Sequence, residues 1–227
     1  MPPLPPQIPD PPPEPLKPGL EAVIDENALR LPNLIDALDL RKLVVEQAKR
    51  KAESLKLYRP LPMQLKFHMS HARTRLARGS NRAGKTLVAA VEVARAVTGQ
   101  DPHDKFPKED GRWFCVGKNL DHCGEVLWRK LGRAGAFKII RDLQTGAWRS
   151  YTPWRKEDAD RASQAKPAPP LIPPRMVKSI AWENKAKSIP KKVVLTNGWE
   201  INFYSSEGKP PQGSDIDGCW FDEEIID

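Results

Sequence analysis

Apolar and polar positions change their spacing several times along the chain, and each change marks an element. Over residues 33–56, Leu34, Leu38, Val45, Ala48, Ala52 and Leu55 recur near the helical period with Arg41, Lys42, Lys49, Arg50 and Lys51 among them. That spacing predicts an amphipathic helix packed ahead of the following segment, its charges forming a solvated face. Residues 87–97 are mostly small and apolar, which predicts a helix buried against a sheet, and Arg75-Leu76-Ala77-Arg78 upstream reads as a short strand leading into it. Arg112-Trp113-Phe114-Cys115-Val116-Gly117 predicts a core strand, and residues 120–131 the helix that crosses back over the sheet. Residues 192–196 and 200–204 flank Asn197-Gly198, a strong short hairpin signal, so an antiparallel extension beside a parallel sheet is expected. Residues 216–221 form a mainly apolar run of the kind a buried parallel strand tolerates.

Proline punctuates the rest. Residues 1–18 are dominated by it, with Pro11-Pro12-Pro13 at the centre, which excludes helix and central strand. The whole of residues 1–32 is expected to be a proline-rich flexible arm, either a plain tail or a docking peptide for a partner with an aromatic groove. Between residues 143 and 175, Trp148, Trp154 and Pro167, Pro169, Pro170, Pro173 and Pro174 predict a long loop, whose tryptophans anchor it to the domain or, with Arg149, Arg155 and Lys156, touch DNA or a neighbouring subunit. The expected organisation is therefore the arm 1–32, the helical segment 33–56 and a core 57–227.

Composition narrows the class. With 227 residues, of which 39% are hydrophobic, the chain can bury one substantial core. No apolar run approaches the roughly 20 residues that cross a bilayer, and no secretory signal stands at the start, so a soluble intracellular protein is expected. A formal charge of +8 suits a polyanionic partner. Cys115, Cys123 and Cys219 are odd in number and suit free thiols in a reducing compartment. His122 beside Cys123 lacks a second Cys/His pair at ligand spacing, which argues against zinc.

Two short stretches carry the chemistry. Gly79-Ser80-Asn81-Arg82-Ala83-Gly84-Lys85-Thr86 fits the phosphate-binding pattern G-x-x-x-x-G-K-[ST] at every position. Glycine at 79 and 84 permits a tight turn whose backbone N–H groups face phosphate oxygens, and a helix starting near Gly84 or Lys85 adds its positive dipole end. Lys85 is expected to reach the β- and γ-phosphates of ATP and the Thr86 hydroxyl to ligate Mg²⁺. The second stretch is Asp222-Glu223-Glu224, at the end of the last apolar run. Asp222 is expected to hold the metal as a Walker-B aspartate does, and Glu223 to polarise the attacking water, with Glu224 the competing base. Upstream, Gln64 is placed to read an adenine edge, because an amide offers a donor and an acceptor together.

The ordered set of residues 57–68 with Gln64, the phosphate loop, residues 196–205, Gln212-Gly213 and Trp220-Phe221-Asp222-Glu223-Glu224 resembles the large subunit of tailed-phage DNA-packaging terminases, over roughly residues 57–227. The resemblance implies a P-loop NTPase α/β sandwich, mostly parallel with flanking helices. It implies an ATPase that drives double-stranded DNA into a preformed capsid. Partners implied are the terminase small subunit, the portal of the procapsid and further copies in a homo-oligomeric ring, all in the host cytoplasm and away from any membrane. Arg82 matches the extra basic residue of such loops, as a γ-phosphate sensor or else a solvent-facing arginine. The family's nuclease domain has no counterpart before Asp227, and the sheet is expected to be incomplete after the Walker-B strand, as in a fragment, a split gene product or a truncated reading frame. A helicase-like ATPase shares the glutamine, loop and acidic pair, and an assembly module that holds ATP without efficient turnover is the alternative of another class.

Overall fold

The strand β1 (Arg112–Gly117) is hydrogen-bonded on both sides, and its Trp113, Phe114 and Cys115 are buried. This is what a run without apolar/polar alternation requires. The computed structural model describes residues 34–208 and 213–222, with side chains from residue 39 onward. The expected arm, Gln212, Glu223 and Glu224 lie outside the described residues. The chain divides into two compact units, Met1–Ala48 and Lys49–Asp227.

The first unit's described part, residues 34–48, belongs wholly to helix α1 (Leu34–Lys51), on which Leu40, Leu43, Val44 and Val45 are exposed. The helix ends at Lys51 rather than running to residue 56. Within the second unit the chain turns at Ala52 and Glu53 and restarts as α2 (Ser54–Leu57). Tertiary bonds impose the break: Glu53 Oε1 accepts from Arg175 at 2.6 Å, and the Ser54 hydroxyl donates to the Pro169 carbonyl.

Helices α3 (Pro62–Met69) and α4 (Lys85–Val97) follow, and α4 buries Val88, Ala90, Val91, Val93, Ala94, Ala96 and Val97. After β1 come α5 (Leu120–His122), a π-helical stretch over Cys123–Trp128 and α6 (Arg129–Gly132), so the predicted crossover helix is present with a widened middle. Strands β5 (Val177–Asn184), β6 (Ile189–Leu195), β7 (Glu200–Ser205) and β8 (Gly218–Phe221) complete a five-stranded sheet with β1.

Its order is β5-β6-β7-β1-β8. β7, β1 and β8 run parallel, whereas β5–β6 and β6–β7 are antiparallel. The molecule is thus α/β with a mixed sheet, and the Asn197-Gly198 hairpin forms where its sequence predicts. Registers Cys115↔Phe203 and Cys115↔Trp220 put these side chains on the face that also carries Trp113, Ile201 and Val193. All of them pack in one core with α4 and with Cys123, Leu127, Trp128 and Leu131 of the crossover. The other face carries Phe114 and Tyr204, edge to face at 4.9 Å, and Phe221, 54% exposed.

Two further expectations fail. Residues 75–78 form no strand, because among the described residues the outer edge of β8 has no ladder partner and the Arg75 side chain turns inward to Glu92 at 2.5 Å. The segment expected as a long loop contains structure of its own. β2 (Lys138–Arg141), β3 (Trp148–Ser150) and β4 (Lys166–Pro167) make a second sheet of order β3-β2-β4. In the connection from β3 to β4 a buried Asp158 is gripped by Arg149 through bonds of 2.6 and 2.7 Å. Trp148 packs on the Leu57, Ile139 and Ala168 cluster and so anchors the segment, whereas Trp154 is 70% exposed.

Candidate functional site

Helix α4 fixes the position of the glycine-flanked loop. At its C-terminal end the Asn197 amide donates to the carbonyls of Val97 at 3.1 Å and Lys108 at 2.9 Å. Asn197 sits in the turn just before β7, so this end of α4 lies at the N-terminal edge of the parallel strands. α4 packs on β1 and β8. Thirteen residues rise about 18 Å between first and last Cα, against about 17 Å for six-residue β1. A helix of that length running back from this anchor directs its start toward the C-terminal ends of β1 and β8, the ends where parallel α/β sheets bind ligands.

Gly84 caps α4 in the left-handed conformation at φ +83°, which glycine adopts without strain. Arg82 is also left-handed, at φ +63°, and Ala83 N–H closes the turn onto the Ser80 carbonyl at 3.3 Å. Gly79, Ser80, Asn81, Arg82 and Ala83 are all exposed. The Lys85 ammonium folds back over the loop and donates to the carbonyls of Gly79 at 2.7 Å and Ser80 at 3.0 Å. Thr86 stands in the first turn of α4, partly exposed.

Asp222 follows β8 at the same end of the sheet, its N–H bonded to the Val116 carbonyl at 3.1 Å. Its Oδ2 lies 3.1 Å from His122 Nε2. Asn119 positions that histidine by accepting its backbone N–H at 2.9 Å. The carbonyl of Lys118 nearby accepts from the hydroxyls of Ser205 at 3.2 Å and Ser206 at 3.1 Å. The sequence weighed His122 only as a partner of Cys123. The missed signal was its place one turn after a parallel strand whose neighbour ends in Asp222.

Gln64 also reaches the loop. A Cβ added to Gly84 would stand 2.6 Å from Gln64 Nε2, and that nitrogen lies 3.5 Å from the Gly84 carbonyl. Gln64 Oε1 accepts from Leu61 N–H at 2.9 Å and from the Tyr58 hydroxyl at 3.1 Å. With the Tyr58 proton on Oε1 the amide offers the site a donor, and the acceptor expected beside it is free only when that hydroxyl turns elsewhere.

Behind it lies a buried charge cluster that the sequence did not reveal. Glu92 on α4 bonds His68 Nδ1 at 2.7 Å, Arg75 at 2.5 Å and the Lys105 ammonium. Burial alone pushes the Glu92 carboxyl up, but its bonds from His68, Lys105 and Arg75 outweigh this and bring it down to about 2. Burial holds His68 below its ordinary value despite the Glu92 bond, so an ionised Glu92 faces a neutral His68. The one carboxylate inside the small apolar run 87–97 was the available clue.

All three cysteines are free, and burial pushes the thiols up, that of Cys219 to about 12, so they are protonated at neutral pH. Among the described residues no cluster of three or more His, Cys, Asp or Glu could cage a metal. A hydroxyl from Thr86 and a carboxylate from Asp222 are hard oxygen donors, and Mg²⁺ takes few protein ligands because phosphates and waters complete its shell. The donor set fits that ion. No described helix is long and apolar enough to cross a membrane. No protein-family model, curated protein or solved structure matches the chain.

Proposed function

We propose that this chain is an ATP-hydrolysing P-loop motor domain of a phage terminase large subunit, which powers translocation of double-stranded DNA into a procapsid. The nucleotide part is supported by a G-x-x-x-x-G-K-T turn with left-handed Gly84 that opens α4, a helix whose length and C-terminal anchor direct its start toward the sheet end of Asp222. In this reading Gly79, Ser80, Asn81, Ala83 and Gly84 turn backbone N–H groups to the phosphates. Lys85 exchanges its carbonyl partners for phosphate oxygens, and Arg82 stands exposed at the loop tip. Thr86 and Asp222 would hold Mg²⁺, which would supply charge neutralisation on the phosphates. Glu223 orients the attacking water, with Glu224 the alternative base. Catalysis is then positioning plus electrostatic stabilisation of the transferred phosphoryl group.

The packaging part rests on the ordered motif resemblance and on a net charge of +8, which favours sequence-independent attraction to a phosphate backbone. Steady-state hydrolysis of ATP with and without double-stranded DNA tests the whole reading. Turnover that rises with DNA, falls to background in Lys85→Ala and is lost in Glu223→Gln with ATP binding retained supports it. A wild-type chain that neither binds nor hydrolyses ATP overturns it.

A further inference from the structure

The Tyr58 hydroxyl lies 3.1 Å from Gln64 Oε1 and 3.3 Å from His68 Nε2. It has one proton to give. Glu92 is ionised and 2.7 Å from His68 Nδ1, so Nδ1 carries the imidazole proton and donates it to the carboxylate. His68 is fully buried and neutral, which leaves Nε2 an acceptor. Tyr58 therefore faces two acceptors with a single donor.

Each choice gives Gln64 a different chemistry. With the proton on Gln64, both lone pairs of Oε1 are used, one by Leu61 N–H and one by Tyr58. Only Nε2–H remains, and it suits N7 of adenine and of guanine alike. With the proton turned to His68, one lone pair of Oε1 is free to accept the exocyclic N6 amine of adenine. Guanine presents an oxygen at that position and meets acceptor with acceptor.

The elements that hold Tyr58 leave it little else to do. Its ring stands edge-on to His68 at 5.7 Å and to Phe137 at 5.9 Å, with the Arg95 guanidinium 5.7 Å over its face. Arg75 and Lys105 neutralise Glu92 from two other segments, so the charge that fixes the His68 tautomer is itself fixed.

We propose that Tyr58 is a specificity-determining positioning residue: its hydroxyl, shared between Gln64 and His68, sets whether the Gln64 amide can accept from a base amine, and so sets the preference for adenine over guanine nucleotides. The proposal rests on the nucleotide-binding reading above.

The test measures dissociation constants of Mg²⁺–ATP and Mg²⁺–GTP by competition against a fluorescent adenine nucleotide, on the full chain, with a thermal melt for each variant. Tyr58→Phe frees a lone pair on Gln64, so the ATP-over-GTP preference rises roughly fivefold, the worth of about one hydrogen bond. His68→Leu removes the rival acceptor, keeps the proton on Gln64 and lowers the preference by a similar factor. Gln64→Leu, at a less buried position, brings the preference close to unity. A merely structural role would weaken both nucleotides together and leave their ratio fixed. Shifts of the same sign in Tyr58→Phe and His68→Leu, an unchanged ratio in either, or a preference that survives Gln64→Leu overturns the proposal. Nucleotide binding that is unaffected by Lys85→Ala, or absent in the wild type, brings down the site reading and this inference with it. Lys85-dependent binding with a ratio indifferent to Tyr58 brings down this inference alone.

Discussion

The side-chain amide of Asn197 donates to the main-chain carbonyl of Val97 at 3.1 Å, joining the last residue of α4 to the turn before β7. Its second hydrogen goes to the Lys108 carbonyl at 2.9 Å, so one residue pins a helix end, a loop and a hairpin together. Asn197→Ala removes both donors and leaves two carbonyls without this partner. Urea unfolding is expected to show a loss of about 1–3 kcal/mol. A change below experimental error would mean that the α4 end is held by packing alone.

Glu92 makes the interior acid-sensitive in a defined window. Its folded-state carboxyl titrates near 2, below the ordinary value of 4.5, so its contribution is fully present above about pH 4.5 and is lost as pH falls through 2. A difference of that size corresponds to roughly 3 kcal/mol. His68 adds to the trend: held below its ordinary 6.5, it is neutral when folded, and stability begins to fall once the unfolded chain protonates it. Stability measured by urea unfolding across pH 7 to 3 should decline in the wild type and much less in a His68→Leu, Glu92→Leu double variant. Equal acid sensitivity in both would remove this cluster as the cause.

Gly84→Ala strains the loop twice, through the left-handed backbone and through a Cβ placed 2.6 Å from Gln64 Nε2. The backbone alone costs roughly 1–2 kcal/mol. Nucleotide affinity is expected to drop about tenfold or more, since 1.4 kcal/mol already equals that factor. Titration with a fluorescent nucleotide reads the outcome, and wild-type affinity would mean that Gly84 does not shape the binding turn.

In the second sheet, Arg149 is the partner that makes the fully buried Asp158 tolerable. Arg149→Met leaves the Asp158 carboxylate with the Thr152 N–H at 3.0 Å and the more distant Arg161 at 3.8 Å, and losing the close partner of a buried charge is expected to cost about 3 kcal/mol. Arg149→Met combined with Asp158→Leu should recover much of the loss. A single variant as stable as the wild type would show that water reaches Asp158.

What could be read in the sequence follows the range of the interactions. The Asn197-Gly198 hairpin, β1 and α4 announce themselves locally, through turn chemistry and uninterrupted apolar runs, and each forms close to its expected bounds, β6 starting three residues before the expected 192. The loop carries its own signature in Gly79 and Gly84-Lys85-Thr86. Long-range pairings left no such trace. β3 is a strand because Arg149 finds Asp158 and Trp148 finds Leu57, and the proline-rich composition around it argued for a loop. Arg75–Arg78 has strand-like neighbours in sequence but no ladder partner in space. The expectation that Gln64 offers both a donor and an acceptor came from residue type alone, and only the positions of Tyr58 and Leu61 show that its oxygen is already engaged.

In the proposed function the glycine-flanked loop and Asp222 share one ion beside a bound triphosphate. Metal-directed backbone cleavage reads this directly: Fe²⁺ replaces Mg²⁺ in the presence of ATP, ascorbate and peroxide generate radicals at the metal, and fragment masses locate the cuts. Two cut sites are expected, one near Thr86 and one near Asp222, both suppressed by excess Mg²⁺ and both lost in Lys85→Ala. Cleavage at one of these positions without the other, in a chain that binds the nucleotide, would contradict a shared ion.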